Sequence, residues 1–213
     1  ISDFGPSDTY DLGGNNNQLN LFYDYKKFKT LKSILENQPS KKYDCSKDFI
    51  KKLDNHLSNR SLLHGKRLID YRGGNSIHSW ELGIKGKCSK EEINFMNQLI
   101  SNRRKKVYGE HQDGKMLTKK QIKNFYKKNN LEKLLNSLLK KGYIKKVQNK
   151  YNPICGNMSF EVFKFLDPDK ISTTLTASDT NRLGVFYKNR IRRITPREAA
   201  RIQGFPNNFI LNP

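Results

Sequence analysis

A chain of 213 residues is long enough for one domain or one and a half. Its 41 Lys and Arg against 20 Asp and Glu leave a net charge of +21 and a pI near 9.9, which calls for a polyanionic partner, nucleic acid before all others. Hydrophobic residues reach only 35%, so the core is modest, and the lack of an apolar run of spanning length or a basic amphipathic helix with a bulky apolar face argues against a membrane.

Residues 1–20 are rich in Gly, Asn, Asp and Ser, the composition of a loop or linker. Leu21 to Leu35 carries Tyr25, Phe28, Leu31, Ile34 and Leu35, whose later spacing is helical and ends before Pro39. A second helix is expected over 45–57, with Ser46 as N-cap and Phe49, Ile50, Leu53 and Leu57 on one face. Between Leu62 and Gly86, glycines punctuate two short apolar segments, Leu68–Tyr71 and Ile77–Ile84, read as strands or extended loops. Arg72-Gly73-Gly74-Asn75 could bring backbone close to a phosphate, and is equally an ordinary turn. Arg67, Arg72, His78 and Trp80 are candidate groove or phosphate contacts, though His78 and Trp80 suit a core as well.

Residues 89–106 form a helix: Ser89 and Glu92 make a capping box, Ile93, Met96, Leu99 and Ile100 a stripe, and Arg103-Arg104-Lys105-Lys106 a cationic end. From Met116 to Lys150 the order is a short helix with Ile122, Phe125 and Tyr126, a helix over 131–141, Gly142 past its end, then Tyr143-Ile144 opening a strand. Helix, helix and basic hairpin resemble a winged-helix unit; a plain helical hairpin is the alternative. Residues 103–150 hold 16 Lys and Arg against 3 Asp and Glu, enough to make binding strongly salt-dependent. Asp167-Pro-Asp-Lys170 is a turn, Lys170–Ser178 a β-branched strand, and Leu183–Tyr187 a further strand. The last helix begins with Thr195 as N-cap, Pro196 in the first helical position and Glu198 completing a capping box. Arg197 and Arg201 are an i, i+4 pair, Gly204 stops the helix and Pro206 prevents its resumption. Cys45, Cys88 and Cys155 show neither metal spacing nor a disulfide framework, and read as free thiols of a cytoplasmic protein.

Arg192-x-Ile-Thr-Pro-Arg-Glu-Ala-Ala-Arg-Ile-Gln-Gly-Phe-Pro206 closely resembles the ninth shared motif of the DNA (cytosine-5) methyltransferases. In that family the motif is not catalytic; it organises the small domain that carries the target-recognition region. The resemblance therefore gives Arg193, Thr195, Pro196, Arg197, Glu198, Arg201 and Gln203 structural roles. Thr173-Thr174-Leu175-Thr176-Ala177 looks like the family's Thr-Leu-(Ser/Thr)-Ala segment. There the residue matching Thr174 contacts the backbone phosphate near an everted cytosine, a role a hydroxyl fills without imposing base preference. Residues 61–187 look like the variable recognition region.

The family's reactive parts are missing from this stretch. Each cysteine lacks a preceding proline: Asp44, Lys87 and Ile154 stand there instead. No Glu-Asn-Val, Gln-x-Arg-x-Arg or Gly-x-Gly-x-x-Gly element occurs, nor the tenth motif, and the chain opens at Ile1 without an initiator Met. The expectation is a catalytically silent piece of a longer enzyme, or one subunit of a split one. It would bind double-stranded DNA, while S-adenosylmethionine would bind a catalytic domain elsewhere. The expected fold is α+β: lead-in loop and helices over 1–60, target-recognition region over 61–187 with its winged-helix-like part at 116–150, and the motif-nine helix in 188–213. Expected DNA contacts are Arg67, Arg72, Lys85, Arg103, Arg104, Thr174, Thr176 and Arg182, with Arg67 and Arg72 as guanine readers. The rival class is a stand-alone winged-helix regulator; a Mg²⁺-dependent endonuclease built on Glu91/Glu92 and Asp167/Asp169 ranks low.

Overall fold

The computed structural model describes residues 30–70, 76–110, 114–154, 160–176 and 180–211. The chain is α+β, with two sheets and five α-helices among these residues. A five-stranded sheet runs in the order β2-β1-β6-β7-β8. Its strands are β1 (Arg67–Leu68), β2 (Ser76–Ile77), β6 (Lys164–Leu166), β7 (Leu183–Tyr187) and β8 (Arg190–Arg193). β1 pairs parallel to β2 and antiparallel to β6, β6 parallel to β7, and β7 antiparallel to β8. The β7–β8 hairpin turns on Lys188 and Asn189, both with positive φ (47° and 62°), which matches the twist of a tight hairpin. It carries the chain directly from β7 into β8 within one sheet.

One face of this sheet rests on α1 (Lys47–His56). Ser46 caps that helix, its Oγ accepting from Phe49 N, and Phe49 and Leu53 pack with Leu63, Leu68, Val162, Phe165 and Ile191. Val162 presses so closely on β7 that a Cβ at Gly184 would meet it at 2.6 Å. The opposite face gathers Leu166, Leu183, Val185 and Ile194 against Leu31, Leu35 and Ala199. On this side the helical spacing around Leu31–Leu35 produces only one 3-10 turn, Leu31–Ser33, anchored by backbone bonds from Leu31 and Lys32 to the carbonyls of Lys170 and Pro168. Residues 21–28 lie outside the described residues.

The second unit is built from α2 (Lys90–Asn102), β3 (Leu117–Thr118), α3 (Lys119–Lys123), α4 (Leu131–Lys140), β4 (Ile144–Val147) and β5 (Lys150–Pro153). Its antiparallel sheet has the order β3-β5-β4. The expected capping box at Ser89/Glu92 forms, and the structure shows another at Thr118/Gln121. Phe95, Met96 and Leu99 of α2 meet Leu134, Leu135 and Leu138 of α4 in a continuous apolar cluster. Gly142 follows α4 at φ +74°, a left-handed conformation that costs a side-chain-bearing residue more. Trp80, His78 and Tyr143 couple the two units. Trp80 is buried in the helical cluster, stacks on His78 at 4.5 Å and donates its indole N–H to Asn97 at 2.8 Å. The Tyr143 hydroxyl donates to Gly86 O at 2.7 Å and accepts from Lys85 N at 3.0 Å. His78 and Trp80 are thus core residues.

Glu92 ties α2 to the end of α4, accepting from Lys141 Nζ, Ser137 Oγ and Ser89 N at 2.6–2.7 Å. Burial opposes its ionisation, yet these donors, Lys141 first, hold the carboxyl below the usual glutamate value of 4.5. Because the folded pKa is the lower one, this stabilisation is complete above the unfolded value and disappears as pH falls through the folded value. Glu92→Gln is therefore expected to lower the melting temperature at neutral pH and to flatten its decline in acid; an acid limb identical to that of the unaltered protein would rule the cluster out as its source.

Candidate nucleic-acid interface

The helix α5 (Pro196–Ile202) follows β8 directly. Thr195 caps it, with Pro196 at the first turn, and the Thr195/Glu198 capping box is complete. The glutamate does more than cap. Arg192 and Glu198 are both fully buried, 1% and 0% exposed, and form a bidentate pair at 2.8 and 2.7 Å. The same carboxylate accepts from Thr195 N and Glu36 N, each at 2.8 Å. Four donors saturate its acceptor sites. Thr195 Oγ1 donates to Glu36 Oε2 at 2.8 Å, closing the ring on the segment before α1.

The other arginines of the motif hold chain rather than ligand. Arg201 donates to Ile34 O at 2.9 Å and to Asn207 Oδ1 at 2.8 Å. Arg197 donates to Phe209 O at 2.6 Å, and Arg193, half-buried on β8, to Lys42 O at 3.4 Å. Gln203 is the C-cap, its N–H reaching the carbonyls of Ala199 and Ala200, and Gly204 follows at φ +86°. Arg192, which matches the motif's first position, is the buried partner; its place directly opposite Val185 on the inner face of the hairpin decides this.

Residues 171–176 lie on the same side of the sheet. Thr173, Thr174 and Leu175 line a groove of about 560 Å³ together with Ile34, Arg201 and Ile202. The expected strand at Lys170–Ser178 is not one among its described residues, 170–176. The run pairs with no strand of the sheet; Leu175 packs instead against the cluster of Leu31, Leu166 and Ala199. Thr174 and Thr176 are exposed, and the Thr176 carbonyl accepts from Thr180 Oγ1 at 2.7 Å.

The expected cationic contacts fall in three classes. Arg67 on β1 and Arg104 after α2 are exposed. Lys85 is half-buried and donates its ammonium to Gly142 O at 3.1 Å. Arg103 is buried, with its guanidinium on the Gly114 and Lys115 carbonyls, and Arg182 donates to Phe160 O at 2.7 Å. Arg72, with the whole Arg72–Asn75 stretch, and Ala177 lie outside the described residues. Lys164 on β6 was missed by sequence reasoning. Its register opposite Arg67 has no one-dimensional signature.

Glu91 and Glu92 are adjacent in sequence but point to different partners: Glu91 accepts from Tyr126, Lys128 and Asn130, while Glu92 faces Lys141. No group of three or more His, Cys, Asp or Glu among the described residues is placed to hold a metal ion. Burial is the main force pushing the Cys45 thiol up to about 12 and the Cys88 thiol up to about 11, so both are protonated and poor nucleophiles at neutral pH. No described helix is long and apolar enough to cross a membrane.

The family described as C-5 cytosine-specific DNA methylase matches residues 9–213. This chain belongs to that family. It is 60% identical over 212 residues to the Type II methyltransferase M.BanI of Aneurinibacillus aneurinilyticus, covering 99% of this chain and 49% of that protein. It is 55% identical to M.HgiCI of Herpetosiphon aurantiacus, covering 100% and 50%, and 37% identical to M.NlaIV of Neisseria lactamica, covering 84% and 47%. The chain thus spans about half the length of the curated relatives it matches. No solved structure matches it.

Removing one partner of a fully buried ion pair strands the other charge. Glu198→Gln should therefore cost about 3 kcal/mol of unfolding free energy in urea melts. Arg197→Gln, whose bond is exposed, should cost less than about 1 kcal/mol. Equal losses would mean that the buried pair does not organise this end of the fold.

Proposed function

We propose that this chain is the sequence-reading half of a DNA (cytosine-5) methyltransferase of a bacterial restriction-modification system, working in the cytoplasm. Its substrate is double-stranded DNA. The catalytic half, on the same polypeptide or a companion subunit, binds S-adenosylmethionine and methylates carbon 5 of a cytosine turned out of the stack. The cofactor supplies the methyl group there; this half chooses the site and grips the backbone. The observation that carries the reading is the placement of Ile171–Thr176: it crosses the sheet face beside α5, with Thr174 and Thr176 exposed. A threonine hydroxyl so placed can donate to a phosphate and hold register while a base leaves the stack. The motif helix acts through Arg192 and Glu198 as the support of that face, and takes no part in the chemistry.

The order helix, strand, helix, helix, strand, strand from α2 to β5, with sheet order β3-β5-β4, supports reading this unit as a winged helix. Its α4 exposes Lys133, Asn136 and Lys140, and its hairpin Lys145, Lys146 and Lys150. These cations, with Arg104, suit the backbone of a duplex. Phe205 and Phe209, each 41% exposed, border an apolar groove of about 450 Å³ on α5. We assign this groove to packing against the catalytic half, because the relatives carry about as much chain again outside the matched region.

In the full-length enzyme, duplex binding should weaken steeply between about 50 and 200 mM salt; equal affinity at both would sink the electrostatic account. Thr174→Val should lower affinity for the recognised duplex while leaving the melting temperature unchanged. A fall in melting temperature without loss of affinity would make Thr174 a packing residue.

A further inference from the structure

We propose that Arg67, Lys164 and Thr173 form a binding site for one phosphodiester group of the DNA backbone, with Lys164 as its central cation. The inference rests on the DNA-binding reading above and deepens it. Arg67 and Lys164 stand directly opposite each other on the antiparallel strands β1 and β6. The flanking backbone bonds run from Leu68 N to Phe163 O at 2.7 Å and from Phe165 N to Lys66 O at 2.8 Å. Arg67 and Lys164 are therefore the non-hydrogen-bonded pair of the ladder, whose side chains lie closest and on one face. Like charges directly opposite in a sheet repel. Some lysines and arginines of this fold are matched by carboxylates, as in Lys141–Glu92, Arg190–Asp44 and Arg192–Glu198. Among the described residues, Arg67 and Lys164 enter no ion pair.

Lys164 is half-buried, and burial first, then the Arg67 charge, depress its ammonium below the ordinary lysine value. An anion lodged between the two side chains would relieve both penalties. The ammonium donates to Thr173 Oγ1 at 3.1 Å. That leaves it two further protons, and leaves the hydroxyl its own proton to donate. Two cations and a hydroxyl thus converge beside Thr174, the residue expected at the neighbouring phosphate. Arg67 then grips backbone instead of reading a guanine, and the site carries no base preference.

The test uses the full-length enzyme with Lys164→Gln, Arg67→Gln and Lys164→Arg. Affinities are measured across a salt series for a random-sequence duplex and for a duplex selected from that pool by the unaltered enzyme. Each glutamine variant should weaken binding to both duplexes alike, by roughly 5- to 10-fold, and reduce the magnitude of the log–log salt slope by about 1. Lys164→Arg should restore the slope, and melting temperatures should stay within about a degree of the unaltered enzyme. An unchanged slope with a lower melting temperature would make Lys164 a structural strut for Thr173 and overturn the proposal. A loss confined to the selected duplex would make the pair base readers and overturn it as well. If the unaltered enzyme did not bind the random-sequence duplex and selected none from the pool, the DNA-binding reading itself would fall; if it bound both and the glutamine variants matched it, only the phosphate site would.

Discussion

The buried ion pair of Arg192 and Glu198 is the constraint on which the interface depends. A charge of either sign alone at that depth would be strongly destabilising, so the two residues must arrive together with their hydrogen bonds made. Their meeting joins β8 to α5, and the Glu36 N–H and carboxylate draw the 30–36 segment into the same knot. Arg201 adds a second tie from α5 to Ile34. The backbone bonds of Leu31 and Lys32 then reach the carbonyls of Lys170 and Pro168, immediately before the threonine-rich segment. Hydrogen bonds and the backbone between them thus tie a buried carboxylate to the turn that leads into the residues proposed to meet DNA. Specificity of packing is the natural use of such a pair, because a carboxylate with four donors accepts only one arrangement of its neighbours.

Charge in this chain has two fates that composition alone cannot separate. Arg103, Arg182, Arg192 and Lys85 turn their cationic groups onto carbonyls or a carboxylate of their own fold. Arg67, Arg104 and the lysines of α4 and the β4–β5 hairpin remain at the surface. Only the second group can release counterions from a duplex. The excess of +21 therefore overstates the charge available to a ligand at any one site. The exposed cations are spread over both units, which couple through Trp80, His78 and Tyr143.

Local signals were highly legible. The caps at Ser46, Ser89 and Thr195 each start a helix, and Gly142 and Gly204 each follow one at positive φ. These features depend on a few neighbouring residues, so tertiary contacts rarely override them. The run around Leu31 and the threonine-rich run before Ala177 were less legible. The first shortens to a 3-10 turn because its backbone is bound by the Pro168–Lys170 turn. The second pairs with no strand and packs through Leu175 on the cluster of Leu31, Leu166 and Ala199. In each case local propensity lost to a partner distant in sequence.

By itself the sequence determined the family, through the Arg192–Pro206 motif, the α+β class, the positions of the capped helices and the net charge of +21. These follow from short-range chemistry and from total charge. Tertiary structure alone decided which arginines are structural, that Trp80 and His78 belong to the core, and that Lys164 stands opposite Arg67. Strand order and register decide those facts, because they bring together residues about a hundred positions apart, and no periodicity along one chain records which strand lies beside which.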